Sequence, residues 1–358
     1  MSMRTLIAAT LRKHEAEVVD NITNDFIFFK LLGDKDLAPK LFKMREVPDG
    51  ASYADGLKLT DDPGRAIVEK IRKGRNNTVR AYSRFGLLLT DPQDNADEVE
   101  YQWRSVAAAV NLAWEDLDKN RGSKTKIFDL LEFSKDDMYV SKQEKINDWL
   151  LGIKPVDDPD RPHGLMDIVQ DDPTTLPLTG VTAIGGIDAS LAVNDFWRNK
   201  VKNHAAAAFG TDQTGTGHSN LRQLVRDCQF GHRKPKLILA GEDAFEALEK
   251  SLLSSTRIND PRVNLLAAAG IESIVFKNTI VVMEKRIDPL REANGLSGSA
   301  FYLVDPHSLR IWGMKHRWFK MGAFREPTNQ DSQVAHCITR LGISCRARRG
   351  QGVMFNVV

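Results

Sequence analysis

Cysteine is scarce in this chain. Cys228, Cys337 and Cys345 include no CxxC pair, and their odd number, without a secretory signal, argues against a disulfide framework. Each lies among apolar neighbours at strand or helix spacing, so all three are expected to be small core residues. Long apolar runs are missing too: none reaches the roughly 20 residues that span a bilayer. The opening MSMRTLIAATLRKHEAE turns charged before a signal-peptide apolar region develops, so the protein is expected in the cytoplasm. An excess of one charge is also absent. The 50 basic and 48 acidic residues give a net +2, so overall balance does not mark a nucleic-acid binder, and any basic surface must be local.

Local signatures of chemistry are lacking as well. GTDQTGTGHSN, Gly210 to Asn220, precedes a helix but has no lysine after its glycines, which a phosphate-binding P-loop requires. It also lacks the third glycine and the preceding strand of a dinucleotide fingerprint. An exposed loop is the favoured reading, and a ligand-binding loop is the alternative. GLSGS at Gly295 to Ser299 has the wrong spacing for a nucleophile elbow, and the eight histidines form no HExxH. Asp157, Asp158 and Asp160, like Asp171 and Asp172, are proline-flanked and are expected to be solvated turns rather than a calcium loop. No local motif supports a catalytic residue, cofactor or metal, and none is expected; an enzyme or ligand-binding α/β protein using the Gly210 to Asn220 loop is the alternative class.

What the chain does have is length, with 42% hydrophobic residues, enough for two or more structural units. Its most informative feature is an alternating run, Val334 to Arg348. Ala335, Cys337, Leu341, Ile343, Cys345 and Ala347 share one parity, with Thr339 as its only polar member. His336, Arg340, Ser344, Arg346 and Arg348 share the other. Period-two alternation predicts one strand with a buried face and an arginine-bearing wet face. Strands usually run roughly 3 to 10 residues, so one this long suggests an elongated protein.

Other elements follow from pattern. Leu11, Val18, Ile22, Phe26 and Phe29 recur at helical intervals before Gly33, predicting an amphipathic helix that packs on its own domain or docks on a neighbouring subunit. No structure is assigned to Asp34 through Gly64. Val79 to Leu89 and Val99 to Ala109 alternate around the turn TDPQDNAD and predict a long hairpin. An isolated hairpin is marginal in water, so this one must lie on another subunit or on its own chain. Ser123 to Leu151 predicts a long helix stopped by Gly152 and Pro155, followed by a proline-punctuated connecting segment. Beyond Phe196 come a helix at Ser219 to Cys228, the strand KLILA, a helix after Gly241, and the strands SIVF, TIVVME, FYLV and LRIW. Together they predict a mixed α/β unit.

The ordered pieces GGIDASLAVNDFWRNK, PKLILAGEDAFEALEKSLL, SIVFKNTIVVMEKRI, FYLVDP and PTNQDSQVAHCITRLGISCRARRGQGV resemble the major capsid proteins of tailed double-stranded DNA bacteriophages, with their Hong Kong 97-type fold. GRAIVEKIRKGRNNTVRAYSRFGLLL and EVEYQWRSVAAAVNLAWED resemble that family's extended hairpin, the E-loop. The resemblance implies an α+β fold: an N-terminal arm and lead-in at 1–65 and an E-loop at 66–112. It further implies a P-domain at 113–185 and 313–358 with a spine helix near 123–151, and a compact α/β A-domain at 186–312. It implies a structural virion subunit, assembled in the host cytoplasm, that closes with copies of itself into hexamers and pentamers of an icosahedral shell around non-specifically contacted DNA. Scaffolding protein, portal and a possible decoration protein are its implied partners, with no membrane. On that reading Phe26, Phe29, Tyr82, Arg84, Tyr101, Trp103 and Arg104 are candidate inter-subunit contacts, and Arg346, Arg348 and Arg349 face DNA or the next subunit. Some family members join subunits by a Lys–Asn bond, but Lys70 and Lys73 near the hairpin are more simply solubilising charges. An encapsulin-like compartment shell shares the fold and stays open as an alternative.

Overall fold

One strand organises the first sheet. Ser332–Cys345, β12, is 14 residues long, and its Ala335, Cys337, Thr339, Leu341, Ile343 and Cys345 are all buried while His336 and Arg340 are exposed. The alternation expected from sequence holds as far as Leu341; from there to Cys345 both parities are buried, Ser344 of the expected wet face included, and the strand ends at Cys345 before the chain turns at Arg348–Gly350. One edge of β12 pairs antiparallel with β4 (Arg104–Ala113) from Ser332 to Leu341. Its other edge pairs with β11 (Lys320–Met321) and then with β10 (Leu309–Met314), and β10 in turn pairs parallel with β1 (Leu57–Thr60). The computed structural model describes residues 57–357, apart from 62, 85, 89, 120–123, 175–182, 205–208, 211–214, 231–232, 253–260 and 269–270. The expected N-terminal helix, with Phe26 and Phe29, lies outside these residues.

Across this sheet runs a helix, Lys124–Leu151, preceded by the short α1 (Trp114–Lys119) and here termed α2. Its 28 residues span about 42 Å at the α-helical rise. Met138, Tyr139, Ile146 and Leu150 are buried, with Leu131 at the same face. Thr339, the polar member of the buried parity, has a specific task. Its hydroxyl accepts the amide of Phe319 at 3.2 Å, and Phe319 is held at φ 47, a region that costs a non-glycine residue.

A second, six-stranded sheet is ordered β5 (Lys200–Asn203), β13 (Gly352–Val357), β9 (Ser299–Val304), β6 (Leu237–Ala240), β8 (Thr279–Met283), β7 (Ser273–Phe276). Its central strands are buried on both faces, which explains their continuous apolar runs. On one face, Ile238, Ala240, Val281, Phe301 and Leu303 pack against α4 (Thr216–Asp227) and α5 (Glu242–Leu252), through Leu221, Leu224, Ala244, Phe245 and Leu248. On the other face, Leu237, Leu239, Ile280, Tyr302 and Val304 join the same core as the first sheet and α2. One apolar core thus runs beneath both sheets.

Pairing at the C-terminal end differs from the expected division at 312/313. β10 belongs to the first sheet and β13 to the second, so the last strand returns to the α/β unit instead of extending β12. The cause is local: Val353 and Met354 are both fully buried, which suits an inner strand with two covered faces.

Buried polar pins tie the units together. Arg291, at the end of α7 (Ile287–Ala293, after α6 at Pro261–Ala268), is fully buried. Its guanidinium donates to both carboxylate oxygens of Asp171 at 3.1 and 2.8 Å, to the Tyr302 hydroxyl at 2.7 Å, and to the carbonyls of Ser297 and Gly298. Asp171, expected in a solvated turn, is this bidentate partner. The connecting segment also buries Leu165–Ile168, α3, and Trp197, whose indole N–H donates to the Ile184 carbonyl at 3.1 Å.

Thr339→Val keeps the volume and removes the acceptor of the Phe319 amide. It should cost about 1–3 kcal/mol, the penalty for a buried unsatisfied donor, measured as a lowered urea midpoint at unchanged slope.

Candidate assembly surfaces

The hairpin expected at 79–89 and 99–109 is built from other residues. Ile67–Arg72, β2, pairs antiparallel with Ala96–Tyr101, β3, in the register Ile67 to Tyr101 and Arg72 to Ala96. Residues 79–89 contain no strand where they are described, and Val99–Ala109 is divided between β3 and β4. The reason is competition for one edge. Strand β3 is taken by Ile67 and Ile71, which bury their side chains in the core, whereas Leu87 and Leu88 are apolar on both parities and favour neither face.

The root of this hairpin is held tightly to its own chain. Ile67, Ile71, Val99 and Tyr101 are buried, and the Ile67 methyl fills the space where Gly342 lacks a Cβ. Tyr101 donates its hydroxyl to the Cys345 carbonyl at 3.0 Å, and the Glu100 amide donates to the Gly185 carbonyl at 3.1 Å. Glu69 sits on the same inward parity as the two isoleucines. It is 6% exposed and receives Arg346 at 3.1 Å, Arg310 at 3.8 Å and the Ser344 hydroxyl at 3.4 Å. A carboxylate on an apolar face is tolerated because these partners replace its water.

Beyond the root, the connection between β2 and β3 carries apolar side chains that this chain leaves uncovered. Val79 is 83% exposed, Tyr82 68%, Leu87 86% and Leu88 65%. Arg80 donates to the Leu87 carbonyl, and Lys73 pairs with Asp97 at 2.9 Å. Exposed apolar residues grouped on one connection make it a candidate contact surface. A second such place is α2, where Phe133 is 71% exposed beside a groove of about 500 Å³ between α2 and β4, lined in part by Val106, Ala108, Lys145 and Trp149.

The expected contact residues therefore separate. Tyr82 and Arg84 lie exposed on the β2–β3 connection. Tyr101 does not reach a surface, because it is 3% exposed inside the core. Trp103 is half-buried, with its indole N–H on the Pro63 carbonyl at 2.9 Å, and Arg104 pairs with Asp160 at 3.4 Å. The basic trio separates too. Arg348 is 1% exposed and donates to the Ile168 carbonyl at 2.8 Å and to Asn199, so it is an internal pin and cannot face DNA. Arg346 is engaged by Glu69, and Arg349 is exposed with its guanidinium 5.0 Å from the Phe230 ring. Glu69 was missed in the sequence, although IVEKIR signals it as a lone charge on an alternating apolar face.

The glycine loop is built for packing. Gly217 donates its amide to the Phe209 carbonyl at 3.1 Å, and a Cβ there would strike the Phe209 ring. His218 is buried edge-on against Phe276 and accepts an Arg222 N–H at Nδ1, 3.0 Å away. His204 likewise accepts the Asn220 amide at Nδ1, also at 3.0 Å. The described part of this loop thus covers the start of α4 with side chains. Among the described residues, no group of three His, Cys, Asp or Glu could hold a metal, and no helix is long and apolar enough to cross a membrane.

No family model matches this chain, and no curated protein matches it. Solved structures do. The chain is similar to a subunit of the cyanophage A-1(L) capsid asymmetric unit, with a TM-score of 0.59 at 12% identity over 84% of this chain and 91% of that one. It is also similar to the capsid of a native GTA particle, with a TM-score of 0.50 at 12% identity over 88% and 93% of the two chains. The fold is the Hong Kong 97-type capsid fold.

Burial holds His204 and His218 below the ordinary histidine range, with Arg222 and Lys277 adding to the shift at His218. The folded state thus prefers both rings neutral, and the unfolded chain binds protons first. Their contribution should be complete above about pH 6.5 and be lost as pH falls through the depressed folded values. Denaturation midpoints measured at descending pH should fall in that window, and the His204→Gln, His218→Gln double variant should flatten the decline.

Proposed function

We propose that this chain is the major capsid subunit of a tailed double-stranded DNA phage or prophage, a structural protein without enzymatic activity. One observation carries the reading: a Hong Kong 97-type fold shared with a cyanophage capsid subunit over 84% of this chain, whose β2–β3 connection presents Val79, Tyr82, Leu87 and Leu88 to solvent. An apolar connection of that kind is covered when a neighbouring copy receives it, which couples the subunit's stability to assembly.

On this reading, copies close into hexamers and pentamers of an icosahedral head. The second sheet and its helices form the A-domain, largely 186–312 with β13 added, near the capsomer axes. The first sheet and α2 form the P-domain, and the β2–β3 hairpin is the E-loop. Tyr82 and Arg84 contact the neighbouring subunit, while Trp103 and Arg104 lie at the hairpin's base. Scaffolding, portal and decoration proteins are partners. Packaged DNA meets the inner surface without sequence preference and in a salt-sensitive manner, with Arg349, exposed beside the Phe230 ring, the candidate of the expected trio.

Negative-stain electron microscopy of the purified chain, with its scaffold where one is needed, should reveal capsomers or closed shells. A persistently monomeric protein across those conditions would sink the reading. Particles from the native host should hold double-stranded DNA, and protein cargo in its place would assign an encapsulin-like shell. Leu87→Asp with Leu88→Asp should abolish particles while changing subunit stability by less than about 0.5 kcal/mol, as expected for exposed positions.

A further inference from the structure

The long helix turns one lysine inward. Lys142 is 3% exposed, and its side-chain nitrogen lies 2.8 Å from the carbonyl oxygen of Cys337, 3.4 Å from the Sγ of that residue and 5.2 Å from the centre of the Phe319 ring. Cys337 is itself fully buried. Strand register explains the meeting: Cys337 stands opposite Ala108 on the sheet face that α2 covers. These contacts include no carboxylate, so the amine shares its pocket with a thiol, a carbonyl and a phenyl ring. Burial lowers the lysine from its ordinary range, which shifts it toward the neutral amine.

We propose that Lys142 and Cys337 form an oxidant-dependent covalent bridge through a single oxygen atom, Nζ–O–Sγ, with dissolved dioxygen as co-reactant. The thiol loses its S–H bond and the amine one N–H bond. One oxygen atom bonds to sulfur and nitrogen, and the other leaves with the two hydrogens as water. Dioxygen accepts four electrons, two from sulfur and two from nitrogen. An inserted oxygen spans the 3.4 Å gap with less displacement of two packed side chains than a direct sulfur–nitrogen bond would. The groove between α2 and β4, lined by Ala108, Met138 and Lys142, brings a small oxidant to the lysine, 3.4 Å from the buried sulfur. Reduction by an added thiol restores the amine and the thiol. The bridge ties α2 to β12 within one subunit, and it stands or falls separately from the capsid reading.

The test is peptide mapping of the wild-type protein prepared in air, without reductant, by mass spectrometry. The expected result is a linked pair containing Lys142 and Cys337, with the mass of the two peptides plus one oxygen less two hydrogens. It should vanish after dithiothreitol, in anaerobic preparations and in Cys337→Ser or Lys142→Arg. The thermal unfolding temperature of the aerobic wild type should fall on reduction. Because the wild-type map does not depend on the variants folding, it decides alone. Separate peptides, with Cys337 unmodified or carrying oxygen by itself, would overturn the proposal, as would a linked pair lacking the oxygen.

Discussion

Everything in the first sheet depends on β12 being paired along both edges. A strand of 14 residues has too many backbone donors and acceptors to leave one side open. Here β4 satisfies one edge while β11 and β10 divide the other. Because β4 continues directly from the hairpin and β10 directly from the α/β unit, this one strand sets the position of both. Its buried parity then sets what α2 can pack on, and Thr339 extends that control to Phe319 through a single hydrogen bond.

The second constraint is the placement of charge inside the core. Arg291, Arg348 and Glu69 are each buried, and each is hydrogen-bonded or ion-paired across elements far apart in sequence. Such groups stabilise little against an apolar replacement, but a misaligned packing would strand a charge in a low-dielectric interior. Their effect is to allow one alignment: Asp171 to α7, Asn199 to the turn after β12, and Glu69 to the end of β12. Geometry between the two sheets is thereby specified as well as their cohesion.

Legibility in the sequence followed the range of the interactions. Period-two and helical patterns are local, so β12, α2, α5 and the strands of the α/β unit could be read from residues alone. Competition is not local. Nothing in 79–89 reveals that Ile67 and Ile71 will claim β3 first, and nothing in Gly352–Val357 reveals that it will cross back to β9 rather than extend the first sheet. The same limit applied to the contact surfaces. Tyr82 and Arg84 were readable as exposed members of an outlying loop, whereas Tyr101 and Arg348 alternate in the same manner and yet point into the core. Glu69 lay between, since its charge on an apolar face was visible but its three partners were not.

The hairpin has a held root and an uncovered tip, which makes it a cantilever. Any load placed on Val79, Tyr82, Leu87 or Leu88 arrives as torque at Tyr101, Glu69 and the packing of Ile67 against Gly342. Those contacts sit at the end of β12, where it is also paired with β10. A push at the tip is therefore felt first by the strand that positions both sheets, so load on the hairpin and order within the chain share a single mechanical element.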